Sequence, residues 1–116
     1  MPVQETADAA DELAALGIPI GQIIVNQTHP PLLPNGRISQ AQLKKGLAAA
    51  GLPADRDLVN GVYAEAKAYQ IRQHLEDTLR ADLTALGRPV IELPLLPGGV
   101  DKSNLGTLVA ALAAAM

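Results

Sequence analysis

The apolar positions of the chain fall into blocks separated by glycine and proline. In the first block Val3, Ala7, Ala10, Leu13 and Ala14 recur at helical spacing, with Asp8, Asp11 and Glu12 mostly on the other face. That spacing predicts a helix over residues 4–16. Gly17 stands where a glycine closes a helix, Ile18 is the apolar residue after it, and Pro19 blocks continuation. The pattern then changes. Ile23, Ile24 and Val25 form a continuous β-branched run that Asn26 and Gln27 end. A run without alternation predicts a strand over Ile20–Asn26 that is buried on both faces, as in a parallel sheet. Residues 28–37 hold three prolines and an Asn35-Gly36 turn and read as a loop.

Helical spacing returns after the loop. Ser39 as N-cap with Gln42 three residues on makes a capping box, and Ile38 with Leu43 makes the matching hydrophobic staple. This helix should run to about Ala50 and end at Gly51. Pro53 can open the next helix at its first position, with Asp55 and Asp57 favourable near the positive end. Its apolar positions Leu58, Val62, Ala66, Tyr69, Leu75, Leu79, Leu83 and Leu86 keep a near-heptad spacing. The slip between Tyr69 and Leu75 leaves two readings, one unbroken helix to Leu86 or a bend or break. The motif of residues 15–20 then recurs at 85–91, a helix end, a proline and an apolar strand. Val90–Leu95 is the second predicted strand. Pro94 cannot donate to a ladder, so pairing ends about there or that side faces an edge. After a loop at 95–99, Asp101 or Ser103 should cap a last helix running to Ala115, with Leu105, Leu108, Val109 and Leu112 inward.

The order α-β-αα-β-α predicts a helix-rich α/β fold with two parallel strands. Two strands leave their outer edges unpaired. The expected architecture is a partial doubly wound sheet, one flank of a larger one. Residues 1–116 should form one domain, with 38–86 as a helical insertion between the strands.

Composition narrows the function classes. Hydrophobic residues make up 48% of the 116, yet only Tyr63 and Tyr69 are aromatic. The core must therefore come from Leu, Ile, Val and Ala. The net charge of −3 and the lack of a basic run argue against nucleic acid as a partner. With no cysteine, the sequence encodes no disulfide, zinc–thiolate site or cysteine nucleophile. Leu105–Met116 is too short to span a bilayer, and no signal-peptide pattern is visible. A cytoplasmic protein without stable membrane insertion is expected. His29 and His74 are far apart in sequence and suggest no metal site. Glu76, Asp77, Asp82, Lys67 and Arg72 read as solvated helix surface. Glu92 should point to an edge or toward strands beyond this pair.

In open α/β sheets, ligands sit beyond the carboxyl ends of the strands. Asn26 is expected there. Its amide offers an acceptor and donors side by side, which suits the N6/N7 edge of adenine. It also suits a simple turn cap.

At four places in order, Pro2-Val3-Gln4-Glu5-Thr6, Glu12-Leu13 with Gly17-Ile18-Pro19, Ile24-Val25-Asn26-Gln27 and Leu93-Pro94-Leu95-Leu96-Pro97, the chain resembles the arsenite-transporter ATPase family (ArsA). That family also contains the ATPases that target tail-anchored membrane proteins. The likeness is closest to actinobacterial, cysteine-free members. It implies one flank of a P-loop NTPase fold and the last third or so of a longer anion-transporting or protein-targeting hydrolase. Met1 does not decide between a short natural product and a cut from such a protein, and the cut is expected. The resemblance implies that Asn26, with Gln27 beside it, hydrogen-bonds adenine, and that the Pro94-Leu95-Leu96 backbone lines the base. It implies ATP or ADP as cofactor, with Mg²⁺ only in the full-length protein. It implies the N-terminal part of the ATPase as a partner, and a homo-oligomer is also expected. The chain departs from the family in lacking the phosphate-binding loop. Gly98-Gly99 has no Lys and Ser/Thr at the required spacing. Gly98-Gly99-Val100-Asp101-Lys102 stands where the family has Glu-Val-Arg-Gly, and the Cys-x-x-Cys of the eukaryotic targeting members has no counterpart. No ATP hydrolysis by this chain alone is therefore expected. A second reading, from a different class, is a separately folding helical interaction module that binds no nucleotide.

Overall fold

The computed structural model describes residues 2–115; Met1 and Met116 lie outside the described residues. The elements are α1 (Val3–Ala15), β1 (Ile23–Thr28), α2 (Gln40–Ala49), α3 (Arg56–Thr84), β2 (Val90–Pro94) and α4 (Leu105–Ala114). The fold is a helix-rich α/β one with a small two-stranded parallel sheet. The chain forms two compact units, Met1–Pro30 with Thr78–Met116, and Pro31–Asp77.

In the first unit, α1 ends as the sequence dictates. Gly17 takes φ +75°, its N–H donates to Ala14 O at 3.0 Å, and the Ile18 N–H donates to Leu13 O at 2.9 Å. This paired closure requires a left-handed residue, which glycine adopts without a Cβ penalty. β1 and β2 then pair in parallel, with Ile23 opposite Val90, Ile24 opposite Ile91 and Val25 opposite Glu92. β1 differs from expectation in two ways. It starts at Ile23 and runs past Asn26 to Thr28, because a bulge between Val25 and Thr28 carries the chain back into register with Pro94. It is also not buried on both faces. Ile91 is 4% exposed, but its partner Ile24 is 54% exposed. The physical cause is the incomplete helical layer: α4 packs on β2 and makes no comparable contact with β1. On α4 itself Leu108 and Leu112 are half-buried, whereas Leu105 and Val109, expected inward, are exposed.

In the second unit, α2 begins with the expected capping box. The Gln42 N–H donates to Ser39 Oγ at 3.1 Å and the Ser39 N–H donates to Gln42 Oε1 at 3.0 Å. α3 does not start at Pro53. Asp55 sets its first turn by accepting from the Leu58 N–H (3.4 Å, at Oδ2) and the Val59 N–H (3.0 Å, at the carbonyl). The carboxylate relieves one orphan donor and favours the positive helix end, an advantage Pro53 lacks. Two glutamines of α3 fasten the proline-rich loop. Gln70 Nε2 donates to the carbonyls of Pro34 and Gly36 at 2.7 and 2.8 Å, and Gln73 Nε2 to Leu33 O and Asn35 Oδ1, both at 3.0 Å.

α3 is continuous over 29 residues. Its less exposed positions include Val59, Val62, Ala66, Tyr69, Gln73, Glu76, Arg80 and Leu83, which alternate steps of three and four. The stripe keeps one phase by accepting Gln73, Glu76 and Arg80. Leu75 is thus off the stripe and 56% exposed, and Leu58 at 38% is off it too. The apparent slip came from following leucines, not from any break in the helix.

Solvent reaches an unusual share of the apolar side chains. Leu16, Leu32 and Ile71 exceed 70% exposure, and Val100 and Val109 exceed 50%. The accessible surface is 8335 Å². Two compact bodies of the sizes of these units, kept wholly apart, would expose only about 7,200 Å² by the usual mass scaling. The excess, about 1,100 Å², is comparable to one partner's share of a protein–protein interface. Sheet edges and apolar faces left open promote association. The chain alone should therefore self-associate at high micromolar concentration. Sedimentation velocity should show species larger than a monomer; a single monomeric boundary with a cooperative melt would contradict this.

Candidate base site at the strand ends

The bulge sets the geometry at the end of β1. β1 advances three residues, Val25 to Thr28, while β2 advances two, Glu92 to Pro94. The extra length is absorbed at Asn26-Gln27, and Gln27 takes φ +57°, the left-handed region that a non-glycine residue enters only at a cost. In this conformation the Gln27 N–H donates to Asn26 Oδ1 at 2.9 Å. Asn26 is thus not the last strand residue, as expected, but lies within the bulge. Beyond it Thr28 closes the ladder. Thr28 O accepts from the Leu95 N–H at 2.9 Å, and Thr28 Oγ1 donates to Leu93 O at 3.3 Å.

Residues 93 and 95 both bond to Thr28, so the nitrogen of Pro94 faces the edge away from β1. A proline is tolerated there because no donor is needed. Both outcomes the sequence allowed for Pro94 are met: β2 ends at Pro94, and its nitrogen faces the edge. Asn26 and Gln27 are exposed, Pro94 and Leu96 are half-buried, and Leu95 is 44% exposed. Asn26, Gln27, Pro94 and Leu95 come to one end of the sheet, while Leu96 starts the loop beyond, where its carbonyl accepts from the Gly99 N–H at 3.1 Å. Together they offer an oriented amide beside an apolar strip.

Sequence reasoning missed one partner at this end. Glu92 does not point away into open sheet; it forms an ion pair with Arg80 near the end of α3. Arg80 Nη2 also reaches His29 O at 3.5 Å, the outer limit of a hydrogen bond. The spacing of Arg80 on the less exposed stripe of α3 could have signalled this, since a stripe arginine needs a carboxylate in reach.

The loop after β2 is organised by Asp101. Its Oδ1 accepts from Ser103 Oγ (2.5 Å), Ser103 N–H (2.7 Å) and Asn104 N–H (3.2 Å). Asn104 returns the bond, taking the Asp101 N–H on Oδ1 at 2.8 Å and donating Nδ2 to Gly99 O at 2.7 Å. Asp101 therefore caps a turn at 102–104. The N-cap of α4 is Asn104, without a side-chain cap, and not Asp101 or Ser103. Among the described residues no group of His, Asp and Glu is placed to hold a metal ion, and no helix is long and apolar enough to cross a membrane.

No protein-family model matches the chain. It is 32% identical over 97% of its length to ATPase BagA of Mycobacterium tuberculosis strain H37Rv. A Mycobacterium bovis protein provisionally named an ATPase matches at the same identity and coverage. The chain spans about a third, 36%, of the length of these relatives. Relatives named as ATPases thus align with nearly all of this chain, over about a third of their own length.

Bonds from the Ser103 hydroxyl, then from the Ser103 N–H, hold the Asp101 carboxyl below its ordinary value of 3.8. A lowered folded-state pKa adds stability that is fully present above the ordinary value and is lost as pH falls through the folded value. Asp101→Asn should therefore melt lower than the parent at pH 7, and the gap should close as pH falls below about 3.8. Thermal melts by circular dichroism between pH 7 and 2.5 check this; a gap that widens in acid would contradict it.

Proposed function

We propose that this chain is the adenine-side portion of an ArsA-like P-loop ATPase, with Asn26 and Gln27 reading the base and Pro94, Leu95 and Leu96 lining it. The observation that carries the proposal is the parallel pairing that brings the Asn26-Gln27 bulge and the Pro94-Leu95 segment to one end of the sheet. The relatives named as ATPases support it. The open edges and the exposed Ile24 suit a flank of a larger doubly wound sheet. On this proposal residues 38–86 are a helical insertion, the remaining strands and the phosphate loop come from the N-terminal part of the ATPase, and the work is done in the cytoplasm on ATP or ADP. Mg²⁺ belongs to the phosphate end, whose ligands are not in this sequence.

Phosphoryl transfer requires cationic and metal contacts to the β- and γ-phosphates. None is encoded here, so the purified chain should show no Mg²⁺-dependent ATP turnover. Phosphate release that scales with chain concentration across independent preparations would overturn this.

Base recognition alone yields weak binding. A bidentate amide pair contributes about 1–3 kcal/mol. Partial burial of a base face against Pro94 and Leu95 adds about as much, at roughly 25 cal/mol per Å². Lost translational and rotational freedom and side-chain ordering come out of that sum first, and a millimolar dissociation constant requires about 4 kcal/mol net. ATP, ADP and adenosine should therefore bind alike, at millimolar or weaker, and Asn26→Ala should remove the binding without unfolding the chain. Nuclear magnetic resonance titration of the backbone amides at 23–28 and 93–97 reads this directly. Micromolar ATP binding, or a preference for ATP over adenosine, would reveal a phosphate site in this chain. No shift with any of the three would favour the interaction-module alternative.

A further inference from the structure

The chain holds four asparagines, Asn26, Asn35, Asn60 and Asn104, and glycine follows two of them, Asn35 and Asn60. A glycine nitrogen is the least crowded one on which an asparagine side chain can close, since no Cβ stands beside it. The side chains of the two pairs are held alike. Asn35 Oδ1 accepts from Gln73 Nε2 at 3.0 Å, and Asn60 Oδ1 accepts from Gln40 Nε2 at 2.8 Å. The backbone tells them apart. Gly61 lies inside α3, where its N–H belongs to the helical ladder. Gly36 lies in the proline-rich loop, and its N–H has no hydrogen-bond partner among the described residues. At the other two asparagines the following N–H is also taken. The Gln27 N–H donates to Asn26 Oδ1, and the Leu105 N–H donates to Asp101 O. Of the four, Asn35 alone is followed by a nitrogen that is both unbonded and uncrowded.

We infer that Asn35 is a self-modification site, where the chain converts its own asparagine to aspartate and isoaspartate and so releases the loop from α3. The Gly36 nitrogen gives its proton to solvent and bonds to Asn35 Cγ. The negative charge of that step develops on Oδ1, where Gln73 Nε2 already donates. The Cγ–Nδ2 bond then breaks, and the leaving nitrogen takes up a proton and departs as ammonia. Asn35 Nδ2 has no partner among the described residues to hold it back. Water opens the resulting cyclic imide. Attack at Cγ gives aspartate, and attack at the backbone carbonyl gives isoaspartate, with the main chain rerouted through the side chain. The net change is amide plus water to carboxylate plus ammonium, and no oxidant or reductant is needed. Isoaspartate lengthens the main chain between residues 34 and 36, whose carbonyls Gln70 Nε2 holds together at 2.7 and 2.8 Å. It also displaces the acceptor of Gln73, which is 8% exposed and whose Oε1 already lacks a partner among the described residues. A buried amide that loses a further bond favours the released loop.

The test is prolonged incubation of the purified full chain in neutral buffer made with heavy-oxygen water, followed by peptide mapping with fragmentation that separates isoaspartate from aspartate. Both products should accumulate at residue 35 with heavy oxygen in the new carboxylate, while Asn26, Asn60 and Asn104 keep their amides. In denaturant, where no helix holds the Gly61 N–H, Asn60 should convert as readily as Asn35. Gly36→Ala fits the fold, since a Cβ there meets nothing within 4 Å, and it should lose the conversion over the same incubation. The isoaspartate form, purified by chromatography, should lose the slow hydrogen exchange of the Gln73 side-chain NH₂. Asn35→Asp, which keeps the acceptor without lengthening the chain, should retain it. Equal conversion of Asn60 and Asn35 in the folded chain would overturn the site, as would no conversion at Asn35 when the denatured chain converts. Unchanged Gln73 exchange in the isoaspartate form would overturn the release of the loop.

Discussion

The parallel pairing of β1 with β2 is the constraint on which the rest depends. Parallel strands need a long crossover, and here the segment between them comprises α2 and α3. The pairing brings Asn26 and Pro94, far apart in sequence, to the same end of one sheet. It also leaves two strand edges and one face of β1 without cover, and hydrogen-bonding groups at an edge seek partners. The proposed site and the proposed incompleteness of the body therefore have one physical origin.

The carboxyl end of this pair is built from local details. The bulge sets Asn26 off the ladder, Gln27 takes the strained conformation, and Thr28 re-engages β2. Pro94 sits where its missing donor costs nothing, and Arg80 ties Glu92 to the end of α3. Asp101 fastens the loop that follows β2 through three short-range bonds. Each is a contact between groups close to one another, whereas the apolar faces around them are open. Order at this end comes more from hydrogen bonds than from a deep core.

Much of this was legible in the sequence. Glycine and proline marked the helix ends, the Ser39–Gln42 box named the start of α2, and the apolar run at 23–25 marked a parallel strand. What escaped was set by tertiary context. A bulge depends on the register of the partner strand, which no local pattern encodes, so β1 runs two residues beyond the end its apolar run predicts. A continuous apolar run predicts burial of Ile24, but burial also needs a second layer, and α4 packs on β2 and not comparably on β1. On α3 the leucines suggested a slip because Gln73, Glu76 and Arg80, the polar members of the stripe, are invisible to a count of apolar residues. Asn26 was legible as a candidate from its residue type and position; the bulge that sets it off the ladder was not, since it depends on the partner strand.

The central claim is that the carboxyl end of this strand pair meets an adenine ring. Photolabelling with 8-azidoadenosine, followed by mass-spectrometric mapping of the labelled peptides, tests it most directly. The account predicts label on the segments containing Asn26-Gln27 or Pro94-Leu95-Leu96, suppressed by excess adenosine. Label confined to other segments, or label that adenosine does not suppress, would contradict it.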